Sequence, residues 1–230
     1  MADSPAPTAP SKIPLGGEDP IERHHRLRRR ALALREQTGR RYLPIPEGEG
    51  MWVFGYGSLM WDPGFPFVER QPALLHGYHR RFCVYSHRYR GSPENPGLVL
   101  GLDRGGSCRG IAYRVAAEAV LDVLDYLWER EMVTGVYRPT LLDVTLGRGR
   151  PRCGHIKAAG FVVDRSHPQY AGDLDAEATA GLICRGHGHR GPNCDYLFNT
   201  VAHLDELGIA DTPLHALAER VRARRKDILA

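Results

Sequence analysis

Glu131 falls where an apolar side chain is due. Val120, Leu124 and Leu127 recur at spacings of four and three, the stripe of an amphipathic helix expected over 117–131. Glu118, Asp122, Asp125 and Glu129 repeat those spacings on the opposite, solvated face. The next stripe position is Glu131, so its carboxylate is aimed towards the core. Burial disfavours the charged form and raises a carboxyl pKa, which suits the group to proton transfer at neutral pH. The same pattern also fits a helix-end glutamate paired with a buried arginine. Gly135 and Tyr137 follow, adding a turn and a phenol beside the carboxylate.

A second segment with chemical content is Trp52-Val53-Phe54-Gly55-Tyr56-Gly57-Ser58-Leu59-Met60-Trp61. An apolar strand runs straight into Gly-Tyr-Gly-Ser, where the backbone can turn tightly with its N–H groups left open. Consecutive open N–H groups make a concave nest for a carboxylate or a developing oxyanion; a purely structural strand-to-loop turn is the alternative. Met60 stands where a dinucleotide fingerprint needs a third glycine, and no Gly-Lys-Ser/Thr follows, so neither nucleotide-binding motif is present. In a third segment, Cys184, His187, His189 and Cys194 invite a zinc reading. His-x-His between single cysteines is not a familiar ligand spacing, and no metal is expected.

The elements that must position these residues are short strands and a few helices. Strands are expected over 51–56, 81–86, 98–102, 111–115, 140–146 and 158–163, each β-rich and bounded by Gly or Pro. Helices are expected over 117–131, 175–184, 193–207 and 212–229, the third with Asn193 as N-cap after Pro192 and Gly208 as its stop. Leu197, Val201 and Leu204 form the buried stripe of that helix. Without βαβ alternation or an internal repeat, the order of elements points to an α+β fold.

Composition sets the outer bounds. With 230 residues, 42% hydrophobic and 25% charged, the chain suits one globular domain with a terminal arm. Residues 1–20, with prolines at 5, 7, 10, 14 and 20, are expected to be a disordered tail. Residues 21–50 read as an arginine-rich helix over 21–37 followed by the Pro44 and Pro46 connector, and the folded domain as 51–230. No stretch approaches the roughly 18 apolar residues of a membrane helix, and no secretory signal is visible. The five cysteines, Cys83, Cys108, Cys153, Cys184 and Cys194, are odd in number and never in a Cys-x-x-Cys pair, which fits reduced thiols in a cytoplasm. Arginines crowd 23–41 and again 220–226, and the net charge is +4. Such runs bind nucleic acid in some proteins, but no aromatic residues interleave to stack bases, so solvated helix faces are expected instead.

Four blocks occur in one order: Phe54-Gly55-Tyr56-Gly57-Ser58-Leu59, then Tyr89-Arg90-Gly91, then Arg130-Glu131 before Gly135-Val136-Tyr137, then Gly191-Pro192-Asn193-Cys194-Asp195-Tyr196-Leu197. In that order and spacing the chain resembles the ChaC family of glutathione-specific γ-glutamylcyclotransferases, over about 51–207. The resemblance implies a mixed β-barrel core with surrounding helices and cleavage of glutathione to 5-oxoproline and Cys-Gly. It also implies no cofactor, a catalytic glutamate at Glu131 and a substrate-holding loop at Val53 to Leu59. Arg90, Tyr137 and Tyr196 are the further substrate-binding candidates. A cyclotransferase for other γ-glutamyl amines, or an inactive regulatory binding protein of the same fold, are the rival readings.

Overall fold

Alternation of Leu98, Leu100 and Leu102 puts three leucines on the inner face of one strand, and that strand proves to be the longest in the molecule. The structure is a computed structural model and describes residues 43–45, 48–147 and 154–229. The expected tail 1–20, the arginine-rich helix over 21–37 and Cys153 lie outside the described residues. The strands are β1 (Met51–Gly55), β2 (Glu69–Ser86), β3 (Gly97–Val115), β4 (Tyr137–Leu146) and β5 (His155–Val163). They close a barrel in the order β1-β3-β2-β4-β5. All neighbours are antiparallel except β1 and β5, which join in parallel through Trp52↔Ala158 and Val53↔Ala159. Helix α1 (Val120–Glu131) lies between β3 and β4 in the chain. Helices α2 (Ala176–Arg185), α3 (Asn193–Glu206) and α4 (Thr212–Leu229) follow β5 and pack on one another. A two-stranded ribbon, β6 (His187–Gly188) with β7 (Gly191–Pro192), links α2 to α3. The fold is α+β, a mixed closed barrel with helices around it.

Several expected elements are longer or begin elsewhere. The separate strands at 81–86, 98–102 and 111–115 belong to one long hairpin, paired from Glu69↔Arg114 to Ser86↔Gly97. The glycines that read as breaks have other work. Gly77, at φ +82°, sits in the register shift between His76 and Tyr78. Gly110 lets β3 pass close to β1, since a Cβ there would lie 2.8 Å from the Phe54 ring. The helix expected over 117–131 starts as a 3₁₀ turn, Ala117–Ala119, before α1 proper. Its buried face is Val120, Val123 and Leu127, with Leu124 only partly covered.

Asn193 is not the N-cap of α3; Pro192 holds that place. The Asn193 side chain, fully buried, faces the outer edge of β3 instead. Its Oδ1 accepts from Leu98 N–H at 2.6 Å, and its Nδ2 donates to Leu98 C=O at 2.7 Å. One amide thus satisfies both backbone groups of a strand residue that lacks a strand partner on that side. Asn193→Ala strands the Leu98 N–H and C=O in a dry environment, at about 1–3 kcal/mol for each buried group. The expected outcome is a loss of about 2–4 kcal/mol in urea unfolding at unchanged m-value; a loss below about 1 kcal/mol counts against the pairing.

Candidate active site

The last residue of α1 is Glu131, and three other elements close on its carboxylate. The turn after β1 brings Tyr56, Gly57, Ser58 and Leu59 to one wall of a cleft, β4 begins with Tyr137, and α3 presents Tyr196. Val99, Leu100 and Phe161 complete the lining from β3 and β5. The Glu131 side chain is 18% exposed. Burial raises its carboxyl pKa above the ordinary glutamate value, and the adjacent Arg130 guanidinium, with Nε 3.3 Å from Oε1, draws it part of the way back. Both readings of the sequence pattern are therefore present at once: a desolvated carboxylate, and an arginine beside it.

Three phenols stand around that carboxylate. Tyr56 and Tyr137 are pushed well above the usual phenol pKa, chiefly by burial and then by neighbouring phenols and the Glu131 charge. Tyr196 is pushed up to about 12, again chiefly by burial. All three stay protonated, as neutral hydrogen-bonding groups. One of them is fixed by the β3 backbone: Tyr137 Oη donates to Leu100 C=O at 2.7 Å.

The turn itself is a 3₁₀ helix, Ser58–Met60, with Gly57 before it. Met60 N–H donates to Gly57 C=O at 2.9 Å, and Trp61 and Asp62 N–H both donate to Ser58 C=O. The turn's own bonds use the N–H of Met60, Trp61 and Asp62 and leave those of Gly57 and Ser58 as its leading donors. Arg130 locks the turn to α1. Its Nη2 donates to Ser58 Oγ at 2.9 Å, and its Nη1 donates to Asp62 C=O at 2.8 Å and to Tyr126 Oη at 2.9 Å.

Of the residues singled out from the sequence, the cleft gathers Tyr56, Gly57, Ser58, Leu59, Glu131, Tyr137 and Tyr196. Val53 and Phe54 are not on its wall: their side chains are 0% exposed and belong to the barrel core. Gly55 closes β1, paired with Ile111. Arg90 is also off the wall. Its Nη1 donates to Arg190 C=O at 2.6 Å and to Pro192 C=O at 3.2 Å, which pins the β6–β7 ribbon, and its guanidinium lies 5.2 Å from the Tyr196 ring centre. It therefore backs a cleft residue from outside. His187 and His189 are exposed on the ribbon, and His189 Nε2 accepts from Arg88 Nε at 3.3 Å. Among the described residues no group of three His, Cys, Asp or Glu side chains converges. Cys83 and Cys108 are buried thiols with pKa values pushed up to about 12 and about 11, and so unreactive.

Sequence reasoning passed over Arg130 as a working residue, and over Val99, Leu100 and Phe161. Leu100 acts through its backbone, which leaves no side-chain signature. Arg130 is legible only once the 58–63 segment is known to lie against the end of α1.

In chemical terms, a carboxylate of raised basicity shares a small cleft, walled by neutral phenols, with the turn that carries the Gly57 and Ser58 N–H groups. That arrangement suits removal of a proton from an amine while negative charge builds on a carbonyl oxygen. Known proteins agree in kind. The chain is 40% identical to the Escherichia coli K12 glutathione-specific γ-glutamylcyclotransferase, across 77% of this chain and 75% of the relative. It is 34% identical to the Homo sapiens glutathione-specific γ-glutamylcyclotransferase 1, across 75% and 79% respectively. The crystal structure of a γ-glutamyl cyclotransferase specific to glutathione from yeast superposes with a TM-score of 0.69 at 25% identity, covering 77% of this chain and all of that one. The family model described as ChaC-like protein matches residues 51–224, and the chain belongs to that family.

Proposed function

We propose that this protein is a glutathione-specific γ-glutamylcyclotransferase, releasing 5-oxoproline and Cys-Gly, with Glu131 as its proton carrier. The observation that carries the residue assignment is the desolvated Glu131 carboxylate lining one cleft together with the Gly57–Ser58 turn. The names of the relatives support the substrate. The working domain is 51–230. A cytoplasmic location belongs to the same reading, supported by cysteines that are scattered and, among the described residues, unpaired; no helix among the described residues is long and apolar enough to cross a membrane.

The chemistry needs little beyond these groups. In a γ-glutamyl compound the substrate's own α-amine can reach its γ-carbonyl carbon and close a five-membered lactam. The α-ammonium gives a proton to the Glu131 carboxylate, and the freed lone pair attacks the carbonyl carbon. Charge moves to the carbonyl oxygen, where the Gly57 and Ser58 N–H groups stabilise it. The oxyanion then collapses, the C–N bond to the cysteine residue breaks, and Glu131 returns a proton to the departing nitrogen. The second proton lost by the attacking nitrogen balances the one the leaving amine takes up to become an ammonium. A glutamate of ordinary acidity would hold the first proton poorly; one raised by burial lies closer to the amine it serves. The phenols of Tyr56, Tyr137 and Tyr196, neutral throughout, keep water out and orient the γ-glutamyl head.

Glu131→Gln keeps the volume and removes the basicity. The expected outcome is a loss of at least about 100-fold in 5-oxoproline formation, measured by chromatography; more than about a tenth of wild-type turnover overturns the assignment. The sign of the stability effect is also fixed. A carboxyl whose folded-state pKa is raised opposes folding when ionised, and that penalty is fully present above the folded pKa and relieved as pH falls through it. At neutral pH the Gln variant is therefore expected to melt no lower than wild type.

The acid limb of activity reports the same carboxyl. Turnover falls as the pH drops through the raised Glu131 pKa, and Arg130→Met, which removes the cation that lowers it, moves that limb to higher pH. A limb that moves to lower pH or stays in place in pH–rate profiles overturns this link.

Specificity for the tripeptide is the role assigned to Arg90, behind Tyr196. Glutathione carries a glycine carboxylate beyond the leaving nitrogen, and a guanidinium is the natural partner for it. Arg90→Ala is expected to lower kcat/KM for glutathione by about 10- to 100-fold, the scale of a hydrogen bond to a charged group. In a competition assay γ-glutamyl-alanine should lose much less. Equal losses assign Arg90 to support of Tyr196 and the ribbon, and equal turnover of both substrates by wild type favours a general γ-glutamyl cyclotransferase.

A further inference from the structure

Arg80 is a cation inside the barrel wall, 4% exposed on β2. Its Nε donates to Tyr56 C=O at 2.6 Å, and its Nη1 pairs with Asp211 Oδ2 at 2.8 Å. Nη2 donates to Arg109 C=O and lies 3.6 Å from Met60 Sδ. The guanidinium thereby touches both ends of the Tyr56–Met60 turn without lining the cleft.

We propose that Arg80, held in place by Asp211, is the positioning residue that builds the oxyanion site of this enzyme: it anchors the Tyr56 carbonyl so that the Gly57 N–H faces the cleft as a polarised donor. This rests on the cyclotransferase reading and deepens it. A trans peptide is planar, so the Tyr56 C=O and the Gly57 N–H point in opposite directions. Arg80 holds the oxygen on the protein side, and the residue at the other end of that peptide plane, Gly57, lines the cleft. The next peptide repeats the arrangement: Met60 N–H holds the Gly57 C=O, which turns the Ser58 N–H the other way. Two adjacent donors are thus set by fixing the two oxygens behind them. Only the first oxygen is held by a cation. A charge-assisted bond to a carbonyl draws electron density along the amide and strengthens the donor at its far end.

Stability alone is a weak reason for this ion pair, because a buried pair seldom gains more than a well-packed apolar replacement. The geometry asks specifically for a guanidinium. Lysine offers one point charge and cannot reach the Tyr56 oxygen, the Arg109 oxygen and the Asp211 carboxylate together. Asp211 faces Arg80 from the start of α4, where its Oδ1 also accepts from Leu214 N–H at 3.3 Å. Its removal loosens the guanidinium without touching the turn.

The test compares Arg80→Lys and Asp211→Asn with wild type on glutathione and on the analogue whose γ-carbonyl oxygen is replaced by sulfur, a poor hydrogen-bond acceptor. Both variants are expected to lose at least about tenfold in kcat, with KM within about threefold. The oxygen-over-sulfur ratio of kcat/KM should shrink by a similar factor, since less oxyanion stabilisation is left for sulfur to forfeit. A merely structural role lowers both substrates alike, so an unchanged ratio overturns the proposal, as does wild-type kcat in both variants. A second readout needs no turnover: the Gly57 amide ¹⁵N resonance should move upfield in Arg80→Lys or, where that variant does not fold, in Asp211→Asn. No movement in a folded variant overturns the grip on Tyr56. Wild-type protein inert towards glutathione overturns the substrate assignment instead, and leaves the amide shift to decide on Arg80.

Discussion

Strand β3 runs from Gly97 to Val115, but β1 covers its outer edge only between Ile111 and Val115. The backbone of the remaining end has to find partners elsewhere, because a buried N–H or C=O left unpaired costs as much as a lost hydrogen bond. Alternate residues solve the problem with side chains. Leu98 is held by the Asn193 amide, and the Leu100 C=O by the Tyr137 hydroxyl. The partners come from two other elements, α3 and β4, so satisfying one strand edge fixes where β4 begins and how α3 docks. The cleft is the space left where the barrel's seam is closed by side chains rather than by a strand.

That origin explains the electrostatics. A seam walled by phenols and leucines is dry, so Glu131 at the end of α1 meets a poor solvent for charge and its carboxyl becomes more basic. Two arginines then act at different depths. Arg130 moderates the carboxylate and ties it to the turn through Ser58 Oγ, keeping acid and turn in a fixed relation. Arg80, on the far side of the same turn, is neutralised by Asp211 and adds no net charge to the seam. The turn is therefore gripped from both faces, one grip on a side-chain hydroxyl and the other on a main-chain oxygen.

Much of this was legible in the residues. The α+β class followed from strand and helix patterns without βαβ alternation, and Glu131 stood out as a carboxylate on an apolar stripe. The Gly-Tyr-Gly-Ser turn was visible because glycines at that spacing after an apolar run have few other uses. What stayed hidden has physical causes. Gly77 and Gly110 look like strand ends but serve a bulge and a close crossing, so the long hairpin read as fragments. Asn193 looks like a helix cap because its type is right for one, while its actual partner, Leu98, is brought near only by the tertiary fold. Val53 and Phe54 share the motif's segment yet are fully buried, one on each face of a short strand that has neighbours along both edges. Leu100, which fixes the Tyr137 phenol with its backbone, carries no chemical mark in its side chain.

The parallel join of β1 to β5 has a consequence in time. β1 is the first barrel strand to leave the ribosome, yet Trp52 and Val53 wait for Ala158 and Ala159, with three other strands and α1 made in between. Pairings of such long sequence separation form late, because loop closure must be met before they return any stabilisation. The β2–β3 hairpin and the β4–β5 pair are local and can form early. The strand that carries the turn is locked on both edges only when β5 arrives, so binding competence tracks barrel closure and not the appearance of secondary structure. A nascent or partly refolded chain would look well folded to a helix-and-strand probe while being unable to hold a ligand.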